Sequence, residues 1–304
     1  MRKRIDAHVH ITPETCLGRK NERFGTENLP YGRLKMGDGG FQTMPCYIHD
    51  SQFTSDTLIN MMDLYGVERA VLLQSLMNPL NPEITQAVHK YPDRLVGAMI
   101  VEPKEGWQQE MRHLAEEGLR VIKFEMRAFT NPNCYPDARY DDPMMTALFD
   151  EAEKLGLTIT IDPAPINFPV YNPDALATAI ERHPNAHFVL CHLGYPLPLE
   201  TAEQREKWHK MVSVGMYKNC WVDISAMPDL FDAEGWPYPT AQDLIQQVKQ
   251  EIGADKLIWG SDITGTLNRA TYPQMMQMLE RDKRFTEEEL DKIFYDNAVA
   301  AYKL

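Results

Sequence analysis

The chain is short of several things, and each shortage removes a class of function. Only five of its 304 residues are cysteine (Cys16, Cys46, Cys134, Cys191 and Cys220). They are scattered, odd in number and without a C-x-x-C pair, which argues against a disulfide framework or a zinc ribbon and for reduced thiols in a cytoplasmic protein. No apolar run approaches the length of a membrane span. The basic start Met1-Arg2-Lys3-Arg4 leads into Asp6, His8 and His10, not into the apolar core of a signal peptide. The net charge is −13, and no basic stretch offsets it, so nucleic acid and anionic membranes are poor partners. There is no internal repeat, no low-complexity tract, and no glycine-rich phosphate turn after the first strand, as a dinucleotide fold requires.

What the chain does have is an ordinary globular composition, 43% hydrophobic and 25% charged, enough for one large core. It also has a regular alternation of strand and helix signals. The first strand, residues 4–11, is followed by a polar stretch rich in Gly and Pro, Thr12 to Phe53. That is too long for a simple connection and reads as a lid carrying Tyr31 and Tyr47. Strands are then expected at 70–73, 95–101, 120–127, 157–162, 187–192, 221–225 and 257–262. Helices lie between them, bounded by capping residues, by glycines after their ends and by prolines. Two further helices, 273–280 and 287–302, close the chain. Eight strands alternating with helices predict a single α/β domain over residues 1–304, a (β/α)8 TIM barrel with the lid at 12–53 inserted after strand one and an extra C-terminal helix. An open doubly wound sheet is the alternative.

Such barrels do their chemistry at the carboxyl ends of the strands, so polar residues there carry the information. Strand one ends in His8-Val9-His10. Side chains alternate across a strand, which puts both imidazoles on one face with Asp6 below them and Ile5, Ala7 and Val9 on the other. Two imidazoles side by side are half of a metal site. Strand four puts Lys123, Glu125 and Arg127 on the face opposite Ile122, Phe124 and Met126. Strand five sends Thr158, Thr160 and Asp162 inward. Strand six ends in Cys191-His192-Leu193-Gly194, strand seven carries Asp223 and Ser225, and strand eight ends in Trp259-Gly260-Ser261-Asp262. Each has a plainer reading. His192 could be a hydrogen-bonded rim histidine and Asp262 a turn cap. Lys123, Glu125 and Arg127 could pair with one another rather than bind substrate. Asp223 and Ser225 read as supporting residues. His49, His89, His113, His183, His187 and His209 read as surface or core histidines. The plain readings do not explain why ionisable groups collect at one rim, strand after strand.

The H-x-H closing strand one, the "CHLG" of strand six, the "WGSD" of strand eight and the closing helix "YDNAVAAYKL" resemble the amidohydrolase superfamily. More narrowly they resemble the branch that contains aminocarboxymuconate-semialdehyde decarboxylase. The resemblance spans nearly the whole chain. It implies an enzyme with one divalent metal ion, zinc or manganese, ligated by His8, His10 and Asp262. Asp262 doubles as proton acceptor, and His192 is the acid/base or the group that polarises the substrate. Barrels of this kind often pair, which makes a homodimer an expectation as well.

One departure stands out. The family's strand-five histidine, a further ligand, is Asp162 here. Aspartate ligates zinc or manganese and leans the site toward the harder ion. The alternative is a member that has lost its metal, as some lactonases of the broader group have. Charge favours the metal. Asp162, Asp262 and Glu125 outnumber Lys123 and Arg127, and a divalent ion turns that deficit into a field suited to a small anionic substrate. The leading expectation is hydrolysis of a small carboxylated lactone or cyclic ester by water activated on the metal. Arg127 or Lys123 would grip a substrate carboxylate, with Glu125 beside them. A non-oxidative decarboxylase of an aromatic or muconate-like acid is the second reading. A barrel that binds without turnover is the third.

Overall fold

The computed structural model describes residues 2–304. Eight parallel strands form the barrel: β1 (Ile5–Val9), β6 (Arg69–Leu72), β7 (Leu95–Met99), β8 (Val121–Glu125), β9 (Thr158–Asp162), β10 (His187–Leu190), β11 (Cys220–Asp223) and β12 (Leu257–Ile258), paired in that order. Backbone bonds from Ala7 N–H to the Trp259 carbonyl (3.2 Å) and from His10 N–H to the Ile263 carbonyl (2.7 Å) join the last strand region to the first. The expected TIM barrel is the fold.

Local chemistry sets the helix starts. Thr54, Asp142 and Asn172 each accept the backbone N–H three residues on. Thr201 with Gln204, Thr271 with Gln274 and Thr286 with Glu289 form reciprocal capping boxes. Gly66, at φ +70°, ends the helix Ser55–Tyr65 in the left-handed conformation that an L side chain resists.

Two apolar layers result. Ile122, Phe124, Ile159, Ile161, Phe188 and Leu190 face the helices in the larger one. Inside the barrel Ile5, Ala7, Val71, Ala98, Val189 and Ile258 pack with Ala298, Ala301 and Tyr302 of the C-terminal helix. Thr158 Oγ1 donates to the Ala301 carbonyl at 2.9 Å. The C-terminal helix therefore seals the end of the barrel away from the strand carboxyl termini, and leaves the other end for chemistry.

Three departures from simple alternation matter. The register of β1 shifts between Asp6 and Val9. Ile5 and Ala7 point inward and Val9 outward, so the expected common face for Asp6, His8 and His10 is not formed: the irregularity brings His8 inward, while Asp6 is taken up by Ser261 and Tyr272. β8 ends at Glu125, and Arg127 lies on a helical turn, Met126–Phe129. His192 and Asp262 lie beyond the ends of β10 and β12, with φ of +58° and +56°. Both occupy the left-handed region, a backbone cost of about 1–3 kcal/mol that is met at sites where direction of the side chain matters.

The stretch 12–53 is more ordered than a loop. It forms a four-stranded antiparallel sheet, β2 (Lys20–Asn21), β3 (Thr26–Leu29), β4 (Arg33–Met36) and β5 (Gly39–Gln42). Arg19 pairs with Glu83 and Arg23 with Glu102 on one side. On the other, Thr264 Oγ1 donates to the Thr43 carbonyl at 2.8 Å.

Candidate active site

A cavity of about 360 Å³ opens between this sheet and the carboxyl ends of the barrel strands. His10, Lys123, Glu125, Arg127, Asp162, His192 and Asp262 all line it. His8 stands immediately behind, fully buried.

His8 Nδ1–H donates to Asp223 Oδ2 at 3.0 Å, which leaves the Nε2 lone pair facing the cavity. Burial holds His8 neutral, its pKa lowered to about 4, against the opposing pull of Asp223. Nε2 of His8 and of His10 lie 3.5 and 3.1 Å from the same oxygen, Asp262 Oδ1. The three donors sit within 4.8 Å of one another. Two imidazole nitrogens and a carboxylate oxygen at these separations fit one small divalent ion bonded at about 2.1 Å to each. Asp162 does not join that trio. Its Oδ2 faces His192 Nε2 at 3.7 Å.

His192 is held from both ends. Its backbone N–H donates to Asp223 Oδ1 at 2.9 Å, and its Nδ1 meets Ser225 Oγ at 2.9 Å. The Ser225 hydroxyl donates in turn to Asp223, so Nδ1 carries a proton and donates to Oγ. Burial disfavours charge on this ring, but the nearby carboxylate of Asp162 and the charges of Asp262 and Asp223 prevail and push it up to about 9. His192 is an imidazolium at neutral pH. Burial alone would also raise Asp162, Asp223 and Asp262. The imidazoles beside them more than offset that and hold all three well below the usual carboxylate range.

Lys123 is buried, with Nζ 3.5 Å from His8 Nε2. Desolvation works against its charge, yet the carboxylates of Asp162, Glu125 and Asp262 keep it an ammonium. Glu125 is engaged by protein: Ser75 Oγ donates to Oε2 at 2.5 Å and the Leu76 N–H at 3.2 Å. It orders the turn after β6 and makes no ion pair with Lys123 or Arg127. Arg127 is exposed to the cavity with no acidic partner among the described residues.

Sequence reasoning gave Asp223 and Ser225 only a supporting part, yet they orient both buried histidines. Their inward positions, Asp223 at the end of β11 and Ser225 two residues beyond it, were readable from alternation; their reach to His8 across the barrel was not. Tyr31 and Tyr47 do not line the cavity and stay exposed, at 49% and 81%. The lid instead contributes Leu29, Arg33, Leu34, Phe41 and Met44. His49 packs edge-on against Tyr31, 4.9 Å between ring centroids, on the lid.

Imidazoles, carboxylates and an ammonium collected at the carboxyl rim of a (β/α)8 barrel, over a sealed floor, define a barrel enzyme. The chain belongs to the amidohydrolase family, whose sequence profile matches residues 5–304. No curated protein matches it in sequence. Among solved structures it is similar to a probable 2-pyrone-4,6-dicarboxylic acid hydrolase from Acinetobacter baumannii with citric acid bound. Identity is 20%, each chain is covered to 99% and the TM-score is 0.72. It is also similar to a zinc-bound amidohydrolase from Burkholderia multivorans (15% identity, 99% of each chain, TM-score 0.72). A third is 5-carboxyvanillate decarboxylase from Sphingomonas paucimobilis (16% identity, 100% of each chain, TM-score 0.67). At these identities the likeness is one of fold. Among the described residues, no helix is long and apolar enough to cross a membrane.

Proposed function

We propose that this enzyme is a divalent-metal-dependent hydrolase of small carboxylated lactones or cyclic esters. The observation that carries the reading is the convergence of His8 Nε2, His10 Nε2 and Asp262 Oδ1 beside His192 on one cavity. The pyrone-dicarboxylate hydrolase named above and the zinc-bound amidohydrolase agree with it.

The residues divide the work. His8, His10 and Asp262 would hold the ion, which when bound supplies a Lewis acid and a more acidic water. Asp262, held ionised, accepts a proton from the attacking water as its oxygen bonds to the ester carbonyl carbon. His192 presents its Nε2–H to the carbonyl oxygen and stabilises the negative charge that develops there. When the ring C–O bond breaks, the proton on Asp262 passes to the departing oxygen. The products are a carboxylic acid and a hydroxyl group, and Asp262 is ionised again. Arg127 fixes a substrate carboxylate through its planar fork.

The test pairs elemental analysis of protein purified without added metal or chelator with two substrate panels. Carboxylated lactones are followed by acid release and carboxylated phenols by carbon dioxide release. One divalent ion per chain with lactone opening is expected. Carbon dioxide release without lactone opening would replace the reading with that of a decarboxylase.

A further inference from the structure

A buried ammonium is ordinarily paired with acid, and Lys123 is not. Its side chain is buried, yet among the described residues no carboxylate oxygen lies within 4.0 Å of Nζ. The acceptor it finds is His8 Nε2, at 3.5 Å. That nitrogen also lies 3.5 Å from Asp262 Oδ1, and its lone pair is the one assigned above to the divalent ion. Nδ1 of His8 offers no alternative, because its proton is committed to Asp223. A hydrogen bond to Nε2 and a metal bond to Nε2 use one lone pair along one in-plane direction, so they exclude each other. An ion about 2.1 Å from Nε2 in that direction would stand inside contact distance of Nζ. Like charge adds to the conflict, and burial strengthens it.

We infer that Lys123 is a positioning residue that competes with the divalent ion for His8 Nε2, and that metal loading turns its ammonium toward an anionic group of the substrate. The inference rests on the metal part of the reading above. Little resists the exchange. At 3.5 Å the bond to His8 is long and weak. Lys123 lines the cavity on a flexible stem, so Nζ leaves His8 by rotation about its own side-chain torsions. Glu125 stands two residues on along β8, opposite Asp162 of β9 in the strand pairing. Both carboxylates already face protein groups, Ser75 and His192 respectively. An incoming anion is then the natural partner for the displaced ammonium. Metal and anion draw Lys123 the same way, so each tightens the binding of the other. The cavity gains its full charge for an anion only after the ion is in place.

Zinc affinities of the full-length wild type, Lys123→Met, Lys123→Gln and Arg127→Met, measured by competition with a chromogenic chelator, test the first half. Arg127→Met removes the same charge from the cavity but no bond to His8. Lys123→Met is expected to bind zinc about tenfold or more tightly than the wild type, the size of a hydrogen bond to a charged group, and Arg127→Met to stay within about threefold. Lys123→Gln follows Lys123→Met and decides the matter if thermal melts show that the Met variant does not fold. Titration calorimetry with benzenesulfonate, which pairs with an ammonium but is a poor zinc ligand, reads the second half. Zinc should tighten its binding about tenfold in the wild type and less than about threefold in the Lys123 variants. Lys123 variants that bind zinc no more tightly than the wild type, an equal gain in Arg127→Met, or a coupling that survives the loss of Lys123 overturns the inference. If neither the wild type nor any variant takes up zinc, the metal reading fails and the inference with it; zinc binding that ignores Lys123 sinks the inference alone.

Discussion

Asp223 Oδ2 accepts the Nδ1 proton of His8 at 3.0 Å, so the nitrogen that His8 presents to the cavity is chosen from the far side of the barrel. A carboxylate behind a histidine fixes its tautomer and raises its strength as a ligand. Asp223→Asn is expected to weaken metal affinity about 10- to 100-fold, measured by competition with a chromogenic chelator. His8→Ala removes the donor itself, so metal content and turnover should both be lost. Full metal content in His8→Ala would take His8 out of the ligand set.

Asp262 is both a donor of the metal trio and the proton acceptor of the proposed reaction. Asp262→Asn should lower kcat by about 10²- to 10⁴-fold. An Asp262→Asn protein that retains metal and a normal kcat would assign the proton transfer to another group.

The pairing of His192 with Asp162 gives a pH signature. The folded protein holds the His192 proton more tightly than the unfolded chain does, pushed up from 6.5 to about 9. The stabilisation is fully present below pH 6.5 and is lost as the pH rises through about 9. In chelator-treated protein the urea midpoint should fall over that range. Asp162→Asn removes the main favourable partner, and its midpoint should fall less steeply over the same window. Equal slopes for the two proteins would show that Asp162 is not the cause.

Gly260 matters for a reason other than its conformational freedom. A Cβ there would lie 2.7 Å from His8 Cβ, 3.0 Å from the His8 backbone nitrogen and 3.2 Å from Ser225 Cβ. Gly260→Ala must displace the strand that carries His8. A cost of about 1–3 kcal/mol in the denaturant midpoint is expected, with a fall in metal occupancy. Normal stability together with full metal content would show that the backbone absorbs the methyl group elsewhere.

The barrel was legible because its signals are local. Caps such as Thr54 and Thr201, closing glycines such as Gly66 and runs such as Leu157–Asp162 mark elements without reference to the rest of the chain. Alternation placed Lys123, Glu125, Thr160 and Asp162 inward, as observed. It failed at β1, where a register irregularity inverts the faces, while Arg127 reaches the cavity as expected but from a helical turn rather than from the strand. The lid sheet escaped detection because its strands are two to four residues long, polar and broken by glycines, too short for a period to show. Arg33 is one charged residue in that stretch, and what distinguishes it from Arg19 and Arg23 is the lack of a distant partner, which only three dimensions reveal. Asp162 shows the same limit. Its position at the end of strand five was plain, but its orientation toward His192 depends on a neighbouring strand.

The small sheet over the barrel is tied down along both margins, by Glu83 and Glu102 on one side and Thr264 on the other. Those contacts set the position of the sheet over the strand ends, so they also set the width and polarity of the mouth through which reactants pass. Loosening either seam should then blur discrimination between reactants before it slows the chemistry.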